Sequence, residues 1–352
     1  MGHPRQEIIL HIGHGKTGSS YIQSCLALSA ERLRKVGIEY PELLPFARAQ
    51  HGCTSSGNLG HAKTFVQTVT EAAERHAKAS RLLFSSEWIF RRIVADGGSL
   101  ATLQKSFDVT VILFTREFLA TAISAYGQSV KRGGNTRSLG TYLAGDRHPD
   151  DVLQVLRAVE RAGCRLAVLN YSRHSDRLLA VFAGACGIAP EILVVPPVAR
   201  VNRSLDEDEL ALMRRFNSLI GASTTELVAT ALCERLPQHP SGPPRITRQD
   251  YEQYRARIAP VETTINRLLP LSERYGEDEL ILIEDVDRGP NRVLRFTEAQ
   301  MDVLAESLGK EIAGLRKATA DGSHFQGWTV RGIRSLAGKL QHQLSRRFSR
   351  LR

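Results

Sequence analysis

Closely spaced cysteines and long apolar runs are both missing from this 352-residue sequence. Its five cysteines are scattered, with no CxxC pair and no spacing typical of metal ligands, which argues against a zinc site or a disulfide framework. No apolar run approaches the roughly eighteen residues of a membrane span, and the start of the chain lacks the apolar segment of a secretory signal. Aromatic residues, at 6%, give little sign of an aromatic-lined pocket. We therefore expect a cytoplasmic protein with reduced cysteines and no bound metal.

Acidic residues are missing from the end of the chain. Between Gly322 and Arg352 there are seven lysines or arginines and no acid, so this segment holds most of the net charge of +10. The remaining charges are nearly balanced, which predicts no nucleic-acid partner, although a basic pocket for a multiply charged nucleotide is compatible with them. The apolar and charged fractions, 42% and 24%, are typical of an ordinary globular protein.

Short apolar strands alternate with helical segments through the first half of the sequence. The predicted strands are rich in β-branched residues or leucine and end at turn or helix signals. They are Glu7–Ile12, Ile38–Tyr40, Arg81–Ser85, Val109–Thr115 and Arg165–Asn170. This alternation predicts a three-layer α/β fold with a central, mostly parallel sheet. The second half is more helical, and we expect residues 1–320 to form a single domain.

The segment Ile8–Gln23, IILHIGHGKTGSSYIQ, has the layout of a strand, a phosphate-binding loop and a helix. Its glycines let the backbone approach an anion, Lys16 supplies a positive charge, and hydroxyl groups lie beside the amides of the first helical turn. The candidate anion-binding residues are Gly15, Lys16, Thr17, Gly18, Ser19 and Ser20. The alternative is a glycine-rich turn that only starts a helix.

The loop is too short for the Walker A pattern GxxxxGK(S/T), because Leu10 stands where that pattern requires its first glycine. It resembles instead the 5′-phosphosulfate loop of sulfotransferases, K-(S/T)-G-(S/T)-(S/T), between a strand and a helix. The bacterial carbohydrate-sulfotransferase-like variety often reads HIG-x-x-KTG-(S/T)-(S/T)-x-x-Q, and this chain matches every fixed position from His11 to Gln23. The resemblance implies a P-loop-like fold and the sulfuryl donor 3′-phosphoadenosine 5′-phosphosulfate (PAPS), with no metal requirement.

A second segment strengthens the resemblance. Arg116 follows the predicted strand Val109–Thr115, and Ser124 lies eight residues later on a helical stretch. In sulfotransferases an arginine and a serine with this spacing bind the 3′-phosphate of PAPS, and a guanidinium can grip two phosphate oxygens at once. The resemblance therefore implies this role for Arg116 and Ser124. The alternative is an arginine at a helix start that pairs with Glu117 or another surface acid.

The acceptor requires a general base, and Glu87 is the first candidate. It stands just past the predicted strand Arg81–Ser85. Many sulfotransferases carry a histidine at this strand end in a K-T-H pattern, whereas other carbohydrate sulfotransferases use a glutamate. A glutamate at the end of an apolar strand is expected to have a raised pKa, which suits a base. The alternative is a surface glutamate that caps the following helix.

Three histidines compete with Glu87 for this role. His14 lies inside the loop, and His51 and His61 flank a polar segment that, in this fold, would lie over the acceptor cleft. A single histidine is more often structural than catalytic. Glu87 and His14 are therefore the catalytic candidates, together with Lys16, which is the cation in the loop for the charge on the leaving phosphate oxygen.

Two further residues of the PAPS site follow from the resemblance. The family often has a tyrosine after the fourth strand that contacts the adenosine, and Tyr171 follows Arg165–Asn170. The arginine–lysine–glycine loop of the eukaryotic cytosolic members is not found in this sequence. Arg200, Asn202 and Arg203 are the best substitutes, with Asn202 assigned to the PAPS site, since similar bacterial sequences carry an N-(R/K)-S-L segment.

The residue pattern over 321–352 predicts a basic amphipathic helix. From Trp328 onward apolar residues recur at spacings of three and four, and basic residues mostly flank that stripe. Such a helix suits an anionic membrane surface, here the inner face of the membrane. The alternative is packing of the stripe on the protein's own body.

The resemblance implies transfer of a sulfuryl group from PAPS to an acceptor hydroxyl, and the loop signature favours a carbohydrate or glycolipid acceptor. A small phenol or alcohol is the alternative acceptor. Two other functions stay open: an ATP-dependent small-molecule kinase on a related P-loop fold, and a non-catalytic nucleotide-binding homologue. The kinase is disfavoured by the Walker spacing and because no apolar strand ends in the aspartate usual for Mg²⁺. Oligomeric state is not predicted.

Overall fold

The structure is a computed structural model. It describes residues 5–13, 15–42, 57–59, 64–196, 203–240, 242, 244–276, 283–284 and 293–320. The helix predicted over residues 321–352 lies outside these ranges.

Five parallel strands form the central sheet. They are β1 (Glu7–His11), β2 (Ile38–Glu39), β3 (Arg81–Ser85), β4 (Asp108–Thr115) and β5 (Arg165–Asn170). Their order across the sheet is β2-β3-β1-β4-β5, and every neighbouring pair is parallel. The predicted α/β class with a mostly parallel sheet is confirmed, and each predicted strand end lies within one residue of the observed end. A second, two-stranded parallel sheet pairs β6 (Ile246–Thr247) with β7 (Ile283–Glu284).

The helices follow in chain order. They are α1 (Ser19–Leu28), α2 (Ala30–Lys35), α3 (Phe65–Arg75), α4 (Glu87–Ala95), α5 (Gly98–Ser106), α6 (Phe118–Arg132), α7 (Leu139–Ala144), α8 (His148–Ala162), α9 (Tyr171–His174), α10 (Leu178–Ala185), α11 (Glu207–Leu219), α12 (Ala222–Arg235), α13 (Arg248–Leu268) and α14 (Glu298–Ala320). Short 3₁₀ turns lie at Ser175–Arg177, Pro190–Ile192 and Leu271–Glu273.

Apolar residues cover both faces of the central sheet. Successive strand residues point to opposite faces, and Ile8, Ile9 and Leu10 of β1 are all at most 2% exposed. On one face, β1, β3 and β4 pack with α1 and α10, with the rings of Phe114 and Phe182 among the buried side chains. Burial on both faces is typical of parallel sheets and explains why these strands read as continuous apolar runs.

The chain packs as two compact units. The first comprises Met1–Ala125, Leu139–Val201 and Ile246–Val286, and it contains both sheets. The second comprises Tyr126–Ser138, Asn202–Arg245 and Asp287–Arg352, and in its described part α12 packs on α11 and α14. Compact units are not by themselves separately folding domains, so the single domain expected for residues 1–320 stays a prediction. None of the described helices combines the length and apolar character needed to cross a bilayer.

Candidate functional site

Four of the described residues that the sequence singled out lie at the carboxyl ends of four adjacent strands. Glu87 follows β3, the loop with Lys16 follows β1, Arg116 follows β4 and Tyr171 follows β5. These strands are neighbours in the order β3-β1-β4-β5, so the residues after them lie along one edge of the sheet. Ligands of open α/β sheets bind outside the carboxyl ends of the strands.

The loop between β1 and α1 has a left-handed backbone at three residues. The φ angles are 83° at Gly15, 62° at Lys16 and 77° at Gly18. Lys16 is the one described residue other than glycine with a positive φ, a conformation that costs an L-residue about 1–2 kcal/mol. Such strain is concentrated at functional sites, where the surrounding structure maintains it.

Two glycines allow the loop to pack closely. A methyl group built on Gly13 would overlap the hydroxyl group of Ser19. One built on Gly18 would lie 2.5 Å from Cδ2 of Leu178 and 3.2 Å from Cε2 of Tyr171. The loop therefore has no room for a side chain at either glycine.

The hydroxyl groups of the loop lie at the start of α1. Thr17 and Ser19 are buried, with their Oγ atoms 3.3 Å apart, whereas Ser20 is half-buried and Lys16 is exposed. The N-cap residue of α1 is Gly18, which supplies no side-chain cap for the first helical amides. The arrangement is compatible with an anion at this helix terminus.

Glu87 lies against this loop. It is the first residue of α4, and the cap of that helix is Ser86, whose Oγ accepts from Trp88 N at 3.2 Å. A methyl group built on Gly15 would lie 3.5 Å from Oε2 of Glu87. Burial raises the pKa of Glu87, against the opposing effects of the Lys16 and Arg91 charges and a hydrogen bond from Ser19. The predicted direction of this shift is confirmed, and the capping alternative is wrong because Ser86 fills that role.

Arg116 contacts the loop from the other side. Its Nη1 donates to the backbone carbonyl of Lys16 at 3.1 Å, and its Cζ lies 5.6 Å from the centre of the Tyr171 ring. Burial lowers the pKa of Arg116, which still leaves it charged. The structure thus brings Arg116 and Tyr171 together with the loop.

Ser124 lies further along α6. It lies six positions after Phe118 at the helix start, which is about 9 Å along the axis. It is half-buried. Its participation with Arg116 in phosphate binding stays a prediction.

Five of the predicted residues lie outside the described ranges. They are His14, His51, His61, Arg200 and Asn202, and their roles stay predictions. Arg203, named beside Asn202, is 5% exposed and belongs to the second unit. There it forms a bidentate pair with Glu209, at 2.7 and 2.8 Å.

Sequence reasoning missed a polar pair beneath the loop. His11 Nδ1 lies 2.7 Å from Ser85 Oγ, so the ends of β1 and β3 are joined by their side chains. A polar residue at the end of each apolar strand was the available signal. The pairing itself required the strand order.

A second network, at the ends of β4 and β5, was also missed. Asn170 Nδ2 donates to Glu117 Oε1 at 3.2 Å, and Asn170 N donates to Glu273 Oε2 at 2.7 Å. Arg177 Nη2 lies 3.2 Å from His174 Nδ1, so this nitrogen accepts and Nε2 donates to Glu273 at 3.0 Å. Although burial raises the pKa of Glu273, the hydrogen bonds from Asn170 and His174 lower it below its ordinary value. These contacts hold the segment after α13 beside Arg116 and Tyr171.

The second unit contains a group of potential metal ligands. Asp206, Glu209 and His239 have ligand atoms within 4.8 Å of one another. However, both Glu209 oxygens accept from Arg203, and one also accepts from Asp206 N in the capping box of α11. Gln300 Nε2 donates to Glu209 Oε1 at 2.8 Å. We assign this group to the packing of α11 in its unit, because the Glu209 carboxylate is already neutralised.

Comparison with known proteins does not identify a family for this chain. No family model matches the sequence, and no curated protein matches it at a significant level.

Proposed function

We propose that this protein is a PAPS-dependent sulfotransferase with an acceptor hydroxyl as its second substrate. The observation that carries the proposal is the position of Glu87. Its carboxylate packs on Gly15 of an anion-binding loop, with the Lys16 charge near enough to oppose the rise of its pKa. A base and a phosphate-binding cation in one site suit the transfer of a charged group to a hydroxyl.

In the proposed reaction the acceptor oxygen attacks sulfur while the bond from sulfur to the bridging phosphosulfate oxygen breaks. Glu87 takes the proton of the acceptor hydroxyl. Lys16 stabilises the negative charge that develops on the leaving phosphate oxygen, and the products are a sulfate ester and adenosine 3′,5′-bisphosphate. As in phosphoryl transfer, the protein contributes positioning and charge stabilisation, with the loop hydroxyls and amides holding the other oxygens.

The remaining residues of the site suit the other end of PAPS. Arg116 carries a charge between the loop and Tyr171, and we assign it to the 3′-phosphate, with Ser124 as a second hydrogen-bond donor. Tyr171 would contact the adenosine, and the role implied for Asn202 stays a prediction. The proposed acceptor is a hydroxyl of a carbohydrate or glycolipid, met in the cytoplasm or at the inner face of the membrane.

Two measurements test the proposal. Calorimetry should give tight binding of adenosine 3′,5′-bisphosphate and weaker binding of ATP with Mg²⁺. Preference for ATP with Mg²⁺ would favour the kinase instead. Incubation with PAPS carrying radiolabelled sulfate, across a panel of saccharide and phenol acceptors, should label at least one acceptor. Binding of the nucleotide without any transfer would identify a non-catalytic homologue.

A further inference from the structure

His11 is a buried histidine between aromatic rings. It is the last residue of β1 and is fully buried. Its ring centre lies 5.6 Å from that of Phe114 and 5.2 Å from that of Phe182, both in edge-on arrangements. Burial lowers the pKa of His11 to about 3, so the imidazole is neutral at physiological pH.

The histidine contacts the turn that leads into α4 in two ways. Its Nδ1 lies 2.7 Å from Ser85 Oγ, and its backbone carbonyl accepts from Ser86 N at 3.1 Å. Ser85 ends β3, Ser86 caps α4, and Glu87 is the next residue. One residue of β1 thus holds both residues that precede Glu87.

The same turn is held from the opposite side by Asn58. Its Oδ1 accepts from Ser85 N at 2.9 Å, and its backbone N donates to Ser85 O at 3.1 Å. Its Nδ2 donates to the carbonyls of Pro41 and Leu83, at 3.1 and 3.2 Å. Asn58 thus holds the backbone of Ser85, whereas His11 holds its side chain.

The histidine is costly where it lies. Its Nε2 is buried and has no hydrogen-bond partner in the described part of the chain. A buried polar group without a partner costs about 1–3 kcal/mol, and a leucine or phenylalanine in this apolar surrounding would avoid that cost. What an apolar residue would not supply is the hydrogen bond to Ser85.

From this arrangement we propose that His11 is a positioning residue for Glu87, and that its bond to Ser85 holds the base against Gly15 of the loop. The inference rests on the proposed function, in which Glu87 is the base. His11 itself does not touch the reacting atoms. It joins the turn that precedes Glu87 to the strand that precedes the loop. The distance between the Glu87 carboxylate and Gly15 is thereby fixed.

The pKa of Glu87 depends on how the turn holds its carboxylate, so it can report on the proposed role of His11. Lys16, Arg91 and Ser19 are the charged and hydrogen-bonding groups that act on Glu87, and burial dominates over all three. If the turn loosens, the carboxylate gains contact with water and its pKa falls toward the ordinary value. In this proposal the bond between His11 and Ser85 acts on the pKa of Glu87 through the turn that carries it.

Three variants separate the hydrogen bond from the bulk of the ring. His11→Asn puts an amide near the Nδ1 position and should keep the bond. His11→Gln puts the amide near the Nε2 position and should lose it. Ser85→Ala removes the partner and leaves the ring in place, so it serves if His11→Gln fails to fold.

The readout is the pKa of Glu87, followed by NMR of protein labelled with carbon-13 at glutamate carboxyls, with Glu87→Gln to identify the signal. We expect a lower pKa in His11→Gln and Ser85→Ala and a value near wild type in His11→Asn. For turnover we expect a loss of about 10-fold or more in the first two, with binding of adenosine 3′,5′-bisphosphate within about 3-fold. The double variant that combines His11→Gln with Ser85→Ala should lose no more turnover than the more impaired of the two single variants.

An unchanged Glu87 pKa in Ser85→Ala, or equal shifts in His11→Asn and His11→Gln, would overturn the inference. So would equal losses in turnover and nucleotide binding, since they would assign His11 to the loop as a whole. Failure of the proposed function would show differently: wild-type protein would neither bind the nucleotide nor transfer sulfate, whatever the NMR titration gave.

Discussion

Arg116 donates a hydrogen bond from Nη1 to the backbone carbonyl of Lys16, with 3.1 Å between the two atoms. The two residues follow the neighbouring parallel strands β4 and β1, so the bond crosses the edge of the sheet where the ligand is proposed. The residue assigned to the 3′-phosphate therefore also holds the backbone of the residue assigned to the leaving group. A substitution at Arg116 should therefore affect the binding of both ends of PAPS.

Arg116→Ala should weaken binding of adenosine 3′,5′-bisphosphate by about 2–4 kcal/mol, because it removes a charge-assisted contact and the bond to the loop. This corresponds to a rise of roughly 30- to 900-fold in Kd, measured by calorimetry. Arg116→Lys keeps the charge but not the planar fork, so it should recover only part of the loss. Full recovery by lysine would show that charge alone matters, and an unaltered Kd in Arg116→Ala would remove the residue from the nucleotide site.

Lys16→Ala should lower kcat by about 100-fold or more with a smaller effect on nucleotide binding, because the lysine acts on charge that develops during transfer. The matched control is Lys16→Gly. Glycine adopts the φ of 62° without strain, so the free energy of unfolding of this variant should lie within about 1 kcal/mol of that of wild type. Its loss of kcat should equal that of Lys16→Ala. Turnover near wild type in either variant would exclude Lys16 from the chemistry.

Much of this site followed from local sequence patterns. The strands read as buried apolar runs with clear ends, and in a parallel sheet the residues after each strand lie at one edge. Arg116 and Tyr171 directly follow a strand, and Glu87 and Lys16 lie two and five residues past one, so their convergence required only the strands to be found. The spacing of the glycines and the lysine in the loop likewise indicated an anion-binding turn after the first strand.

Contacts between distant segments were not predictable in this way. Glu273 accepts from Asn170, which lies 103 residues earlier, and nothing in the sequence around either residue indicates the pairing. The helical stretch after the loop is divided into α1 and α2 at Ser29, whose hydroxyl donates to Cys25 O and accepts from Val194 N. The bond from Val194, 165 residues away along the chain, is likewise not indicated by the local sequence.

The ion pair of Arg203 with Glu209 in the second unit should be sensitive to loss of one partner. Both side chains are at most 2% exposed, so Arg203→Met would leave a buried carboxylate uncompensated, at a cost of about 3–5 kcal/mol in the free energy of unfolding. Replacing both residues, Arg203→Met with Glu209→Leu, should recover most of that loss. Denaturant unfolding followed by circular dichroism measures both. If the double variant is as unstable as the single one, the two side chains stabilise the unit by more than neutralising each other's charge.

Glu87→Gln should remove the acid limb of the pH–rate profile. In wild type, kcat/KM should rise with pH through the Glu87 pKa, which burial raises above the ordinary value of about 4.3, because only the carboxylate accepts a proton. The glutamine variant should be slower by about 100- to 10,000-fold and flat over the same range. A variant with near-normal turnover would transfer the role of base to His14, His51 or His61.

The same substitution should stabilise the protein at neutral pH. Since the folded pKa of Glu87 lies above its unfolded value, the native state binds more protons than the unfolded state between the two values. Stability therefore falls as pH rises through that window, and the deficit persists at pH 7. Glu87→Gln removes the buried charge, so its advantage over wild type in denaturant unfolding should be present at pH 7 and absent well below pH 4. A glutamine variant less stable than wild type at pH 7 would mean that the Lys16 and Arg91 charges outweigh the burial of Glu87. The pKa of Glu87 in the folded protein would then lie below its value in the unfolded chain.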